Sequence, residues 1–402
     1  MEVYRMYFPY LRGRQFELIA LRELLEGERI GQEIIPIIEP VKPSATLLKT
    51  LECFMDEQIS SMIASENRHG ECEIQSKKEC VVYDTNEDHY LEEIMDAFTV
   101  AKHLRVSETD VRVGYLHTFL ARWKVFKVDE KSIQKIIKAI CRQRYQDEPE
   151  LFDEKVTIRE LFSADEMERK CILKTYSWDD FCYNIKHVNR FHSQQVNFRE
   201  LKNLLDNMLV DIPAGSLTLY RSRICDEESY LKGYSNKKMG VPPVSLTTAG
   251  RTNSEGIQCL YLASDEETTF HEVRARDNDH VSVGEFYQIK DLKIVDLSLF
   301  DKIGPFSIPD FDMTWFAINI DIIRKIGNEV AMPMRRFDRA LDYVPTQYIC
   351  DYVKHLGYDG IRYKSTLVEG GINYAIFDEK KFDCVGVKVV HIGNIHYEWK
   401  EI

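Results

Sequence analysis

Five stretches in the second half of this 402-residue chain carry side chains suited to chemistry on a phosphorylated ligand. They are Leu219-Tyr220-Arg221-Ser222-Arg223, Gly250-Arg251-Thr252-Asn253-Ser254-Glu255-Gly256-Ile257, Leu260-Tyr261-Leu262-Ala263 and Thr268-Thr269-Phe270-His271-Glu272-Val273-Arg274. The fifth runs from Tyr358 to Thr366 and on through Gly370-Gly371-Ile372-Asn373-Tyr374-Ala375-Ile376-Phe377. Guanidinium forks recognise phosphate in a planar, bidentate way, which singles out Arg221 and Arg251. A glycine-flanked loop lets backbone N–H groups approach oxyanions, and Gly250 and Gly256 frame one that contains Asn253. Tyr261 offers an aromatic face to a flat ring. Glu272 places a carboxylate one or two helix turns beyond that strand. Ser365 and Asn373 can hydrogen-bond an amide or a ribose hydroxyl.

Arginine, aromatic ring and carboxylate together suit a ligand with phosphates, a flat ring and a glycosidic carbon, and a dinucleotide such as NAD fits. Each residue also has a plainer reading. A helix glutamate commonly faces solvent. The arginines can pair with the many carboxylates, Tyr261 can be core, and Ser365 and Asn373 can shape turns. His271, next to Glu272 on a helix, points elsewhere.

These residues need a mixed α/β scaffold. Segments 216–220, 257–263, 281–289, 293–297, 360–364 and 373–377 read as strands, and 385–399 alternates around a Gly393-Asn394 turn. Ser264 and Glu267 form a capping pattern before Thr268. A helix over 345–356 has Pro345 near its start and Gly357 as its stop. The preceding region is expected to be mainly helical. Its apolar stripes are Leu91/Ile94/Met95/Phe98, Ile133/Ile136/Ile137/Ile140 and Leu201/Leu204/Leu205/Met208, the last opened by an Asn197–Glu200 cap. The expected domains are 1–49, 50–213 and 214–402, the last starting after Pro213.

Composition excludes several classes. With 53 basic and 66 acidic residues the net charge is −13, which argues against a general nucleic-acid binder. No apolar run approaches the ~20 residues of a membrane span, and no signal peptide opens the sequence. The ten cysteines are scattered without a Cys-x-x-Cys pair, so the expectation is a reduced, cytoplasmic protein without a metal site.

The ordered set Leu-Tyr-Arg, Gly-Arg-x-Asn-x-x-Gly-Ile, Tyr-Leu-Ala, Glu-Val-Arg and Gly-Gly-x-Asn-x-x-x-Phe resembles the RES domain, over about 214–402. Pro345-Thr346-Gln347-Tyr348-Ile349 and the Tyr358-Asp359-Gly360-Ile361 run add to it. The resemblance implies an ADP-ribosyltransferase-like fold and a toxin that destroys NAD by hydrolysis or phosphorolysis. NAD is then substrate rather than cofactor, with inorganic phosphate as an optional co-substrate. It places Arg221, Arg251, Tyr261 and Glu272 at the active site and Asn253, Ser365 and Asn373 along it. It also implies an antitoxin or regulatory partner and allows a homo-oligomer. Two other activities remain open: ADP-ribosyl transfer to a protein or nucleic acid, and a non-catalytic dinucleotide sensor.

Residues 50–213 resemble the HEPN-type helical domain that precedes some RES domains, through Cys53-Phe54-x-Asp56-Glu57, Gly70-Glu71-Cys72 and Val81 to Thr85. Related segments carry paired cysteines. Here Thr50 and Gln75 break both pairs, so zinc is not expected. Arg112-Val113-Gly114-Tyr115-Leu116-His117 matches the short Arg-x4-His pattern of HEPN ribonucleases, but Val113 and Gly114 depart from it. Residues 1–49, with Tyr7-Phe8-Pro9-Tyr10, a helix over 18–25 and a strand within Ile34-Ile35-Pro36-Ile37-Ile38, resemble the opening of a phage-associated "beta family". That likeness implies no chemistry.

Overall fold

The computed structural model describes residues 10–11, 37–38, 62–63, 85–126, 128–305, 312–333 and 338–393. The chain forms two compact units, Met1–Arg169 with Ile303–Ala317, and Lys170–Lys302 with Ile318–Ile402.

In the first unit, β1 (Tyr10–Leu11), β2 (Ile37–Ile38) and β3 (Met62–Ile63) pair in parallel. The strand expected around Ile37 is thus present, whereas the helix expected over 18–25 lies outside the described residues. A second small sheet joins β4 (Phe98–Val100), β5 (Gly114–Tyr115) and β6 (Lys155–Ile158) in the order β4-β6-β5. Helices surround it. The Glu130–Ile140 helix opens on Asp129, whose carboxylate accepts from the Ser132 N–H at 3.1 Å, and it buries Ile133, Ile137 and Ile140. Such buried side chains contribute about 1.5–3 kcal/mol each.

One apolar stripe expected in this mainly helical region needs correction. Phe98 does not extend the stripe of Leu91, Ile94 and Met95. The helix ends at Asp96, and Phe98 opens β4, where its ring packs on Phe119 and Trp123 at 5.1 and 5.6 Å. Aromatic packing from distant positions overrides a locally helical spacing.

The second unit is built on an eight-stranded sheet. Its strands are β7 (Leu209–Ile212), β8 (Thr218–Ile224), β9 (Leu260–Ala263), β10 (His280–Gln288), β11 (Leu292–Asp296), β12 (Gly360–Lys364), β13 (Ile372–Ile376) and β14 (Phe382–His391). Their order is β14-β10-β8-β9-β13-β12-β11-β7. Alternation along the strands divides the side chains between two faces. Leu219, Leu260, Leu262, Phe286, Ile294, Tyr374 and Ile376 belong to one buried cluster. Intervening residues point the other way, and the registers Tyr220↔Ala263, Asn373↔Ala263 and Tyr363↔Asn373 align Tyr220, Ala263, Asn373 and Tyr363 in one row across four strands.

The second compact unit begins at Lys170, upstream of the domain expected to start after Pro213. Two contacts tie the intervening segment to later chain. The Asn319 side chain accepts from the Ile172 N–H at 2.7 Å and donates to the Lys170 carbonyl at 2.9 Å. β7 pairs antiparallel with β11. β9 begins at Leu260 rather than 257, because the Ile257 carbonyl accepts from the Asn253 side chain at 3.0 Å and is withdrawn from the ladder. The terminal strand ends at His391, and residues beyond 393 lie outside the described ones.

Candidate functional site

Glu272 closes the short Glu266–Glu272 helix. The cap is Asp265, one residue later than expected. Its carboxylate accepts from the Thr268 N–H at 2.7 Å, while the Ser264 hydroxyl turns to Asp265 itself. The helix is pinned to β8 by a 2.6 Å hydroxyl–hydroxyl bond between Ser222 and Thr269, both buried. At its end the Glu272 Oε1 accepts from Asn373 Nδ2 at 2.7 Å and from Ser365 Oγ at 3.4 Å. Three expected site residues, from stretches about a hundred positions apart, are therefore brought together.

A second group forms around Tyr261. Its hydroxyl accepts from Thr252 Oγ1 and donates to Asn253 Oδ1, both at 2.6 Å. Asn253 Nδ2 is shared among the carbonyls of Thr248, Ser254 and Ile257. Gln347, on the Val344–His355 helix, donates to the Gly250 and Asn253 carbonyls at 2.7 and 2.9 Å. A Cβ at Gly250 would stand 2.7 Å from both Asn253 Oδ1 and the Tyr261 hydroxyl, so the loop closes only with glycine there. Burial pushes the Tyr261 phenol above its ordinary range and the Cys259 thiol up to about 12. Asn253, expected to contact substrate, uses its amide here to hold the loop, and the residue is 4% exposed.

Tyr363 lies opposite Asn373 in the β12–β13 register, and burial raises its phenol. Tyr363 falls within the Tyr358–Thr366 stretch, where its residue type alone marks no role. Its opposition to Asn373 in the β12–β13 register is the signal that locates it.

The two arginines diverge. Arg221 faces Gly284 of β10, but the pairing of β8 with β9 stops at Tyr220↔Ala263, so no ladder covers its other flank. Burial first, and then the Arg223 charge, pull its guanidinium down to about 10, with Cys259 and Tyr261 nearby acting in the opposite sense. It is still cationic at neutral pH. Its Nη1 is buried and has no hydrogen-bond partner among the described residues. Arg251 instead pairs with Asp338 at 3.0 Å, donates to the Pro333 carbonyl at 3.3 Å and lies 5.0 Å from the Tyr343 ring centroid. Arg251, expected to present its charge to a ligand, thus pairs with a carboxylate in this structure, and its Nε is buried without a partner among the described residues.

Arg362 pairs with the fully buried Asp296, a contact within the sheet. In the first unit, Arg112 pairs with Asp110, donates to the Leu161 carbonyl and stacks on Phe162 at 3.9 Å, while His117 Nε2 lies 3.7 Å from Glu130. The two ends of the Arg-x4-His pattern thus have separate partners. Among the described residues, no cluster of three or more His, Cys, Asp or Glu could hold a metal ion, and no helix is long and apolar enough to cross a membrane.

Comparison with known proteins gives one family. Residues 218–400 match the family model described as RES domain. Among solved structures, the crystal structure of the M. tuberculosis MbcT–MbcA toxin–antitoxin complex is similar over 48% of this chain and 91% of that chain, at 12% identity and a TM-score of 0.30. No curated protein matches the sequence. The architecture, helices in one region and a mixed sheet in the other, is α+β.

Proposed function

Taking residues 218–400 as a RES domain, we propose that this protein is a toxin-type enzyme that consumes NAD by breaking its nicotinamide–ribose bond. The observation that carries this reading is the Glu272 carboxylate, held at 2.7 Å by Asn373 on the sheet face that also carries Tyr261 and Tyr363. Nicotinamide leaves as a neutral molecule, so no general acid is needed. The transition state places positive charge on the ribose, as in glycoside hydrolysis. A fixed carboxylate beside that carbon stabilises the charge as it develops, typically by ~3–4 kcal/mol.

Arg221 is assigned to the pyrophosphate, or to an attacking inorganic phosphate, on its unused donor; by alternation it shares the face of Leu219 on β8, opposite the row that carries Asn373. Tyr261 presents its ring to nicotinamide while its hydroxyl holds the loop. With water as nucleophile the products are ADP-ribose, nicotinamide and a proton. With phosphate they are ADP-ribose 1″-phosphate and nicotinamide. A cytoplasmic location and a neutralising protein partner belong to the same reading.

The test is to incubate the purified full-length chain with NAD, with and without phosphate, and identify products by mass. Free nicotinamide with either ribosyl product supports the proposal, and the phosphate dependence names the nucleophile. Mass shifts on added protein or nucleic acid without those products would replace it with ADP-ribosyl transfer. Tight binding without turnover would replace it with a dinucleotide sensor.

A further inference from the structure

We propose that Asn373 is a positioning residue. Its side-chain amide fixes Glu272 Oε1, and this turns Glu272 Oε2 toward the ribose of the ligand. The inference rests on the reading of Glu272 as the charge-stabilising carboxylate, and it replaces the expectation that Asn373 hydrogen-bonds substrate.

Four observations support it. Asn373 is 5% exposed and donates at 2.7 Å to a carboxylate on a residue that is itself exposed. An exposed glutamate samples several rotamers, and one strong donor removes much of that freedom. Ser365 Oγ, already accepting from the Leu367 N–H at 3.2 Å, directs its own proton to the same oxygen at 3.4 Å. Both donors therefore sit on Oε1. Third, Asn373 stands between Ala263 and Tyr363 in the cross-strand row, where the small alanine leaves the amide room. Fourth, the turn that delivers both donors is built for close approach. Ser365 N–H bonds to the Gly371 carbonyl at 2.8 Å, and a Cβ at Gly371 would come 2.4 Å from Thr268 Oγ1. Any side chain at 371 would push Ser365 and Asn373 away from the helix that carries Glu272.

The test is a double-mutant cycle on the full-length chain with N373A, E272Q and the pair, read in both NAD turnover and thermal stability. N373A is expected to lower kcat about 100-fold with KM nearly unchanged, because misplacement of a reacting group by about 1 Å costs that much. In the E272Q background N373A is expected to cost nothing further. N373D adds a readout that a structural role would not move. At neutral pH two carboxylates face each other and turnover falls. Toward pH 5 one proton is shared between them, a donor is restored, and turnover recovers relative to wild type. Equal losses from N373A in both backgrounds, a rise in KM alone, or an N373D profile parallel to wild type would overturn the proposal. The stability cycle separates this inference from the functional reading. If wild type leaves NAD intact, the functional reading falls, and additive losses in Tm would show that Asn373 and Glu272 are uncoupled as well.

Discussion

Arg221 and Arg251 stand in sequence contexts that look equivalent, each in a short motif next to a strand, yet the structure surrounds them differently. The Gly250–Ile257 loop with Arg251 is closed on itself. Tyr261, Asn253 and Gln347 hold its backbone, and Asp338 accepts from Nη2 of Arg251, whose Nε stays buried without a partner among the described residues. The β8 region around Arg221 is open by comparison, with strand pairing on one side only and a buried Nη1 without a partner. Charge and residue type do not separate a ligand arginine from a structural one. Each keeps a buried nitrogen without a partner among the described residues, Nη1 of Arg221 and Nε of Arg251, and the difference is that Arg251 is paired with the Asp338 carboxylate. A buried donor without a partner costs about 1–3 kcal/mol, at Arg221 Nη1 and at Arg251 Nε alike.

Substitution can break this comparison, and the largest expected effect is at Arg221. Arg221→Met should lower kcat/KM for NAD about 100-fold. Its Tm should stay the same or rise, because folding opposes the buried charge at every pH below about 10. A fall in Tm without loss of turnover would reverse the roles assigned to the two arginines. Arg251→Met should do the opposite. It removes the guanidinium that pairs at 3.0 Å with Asp338, both side chains being 12% exposed. The cost should be about 2–3 kcal/mol, or roughly 5–10 °C in Tm, with a smaller change in turnover. Calorimetry on both variants decides between the two outcomes. A smaller effect is expected from Tyr261→Phe, which keeps the ring and removes the hydroxyl. Asn253 Oδ1 then loses its donor, at about 1–2 kcal/mol, while NAD affinity changes little. A large loss of affinity would show that the hydroxyl itself meets substrate. The smallest is Arg112→Ala, in an ion pair whose side chains are 38% and 24% exposed. It should leave NAD turnover unchanged, and no RNA cleavage should be lost with it.

Local signals in the sequence located most of the scaffold. β12 falls at 360–364 as expected, β13 is shifted by one residue, and the Val344–His355 helix starts beside Pro345 and stops before Gly357. Periodicity and capping are short-range, so they transmit well along a single chain. What escaped depends on distant partners. Asp338 lies 87 positions from Arg251, and nothing near Arg251 announces it. Asn253 looked available because its three carbonyl partners are backbone groups, which any sequence supplies. β4 was hidden because Phe98 continues a helical spacing and enters a strand only through aromatic packing with Phe119 and Trp123. Glu272, Ser365 and Asn373 were legible as residue types, but which of them faces ligand and which faces the carboxylate required coordinates.

The most direct measurement is quantitative product analysis of NAD incubated with wild-type protein and with Glu272→Gln, both confirmed folded by their melting curves. The account predicts stoichiometric release of nicotinamide by wild type and a rate lower by about a thousandfold or more in the variant. Nicotinamide release by Glu272→Gln at the wild-type rate would contradict it.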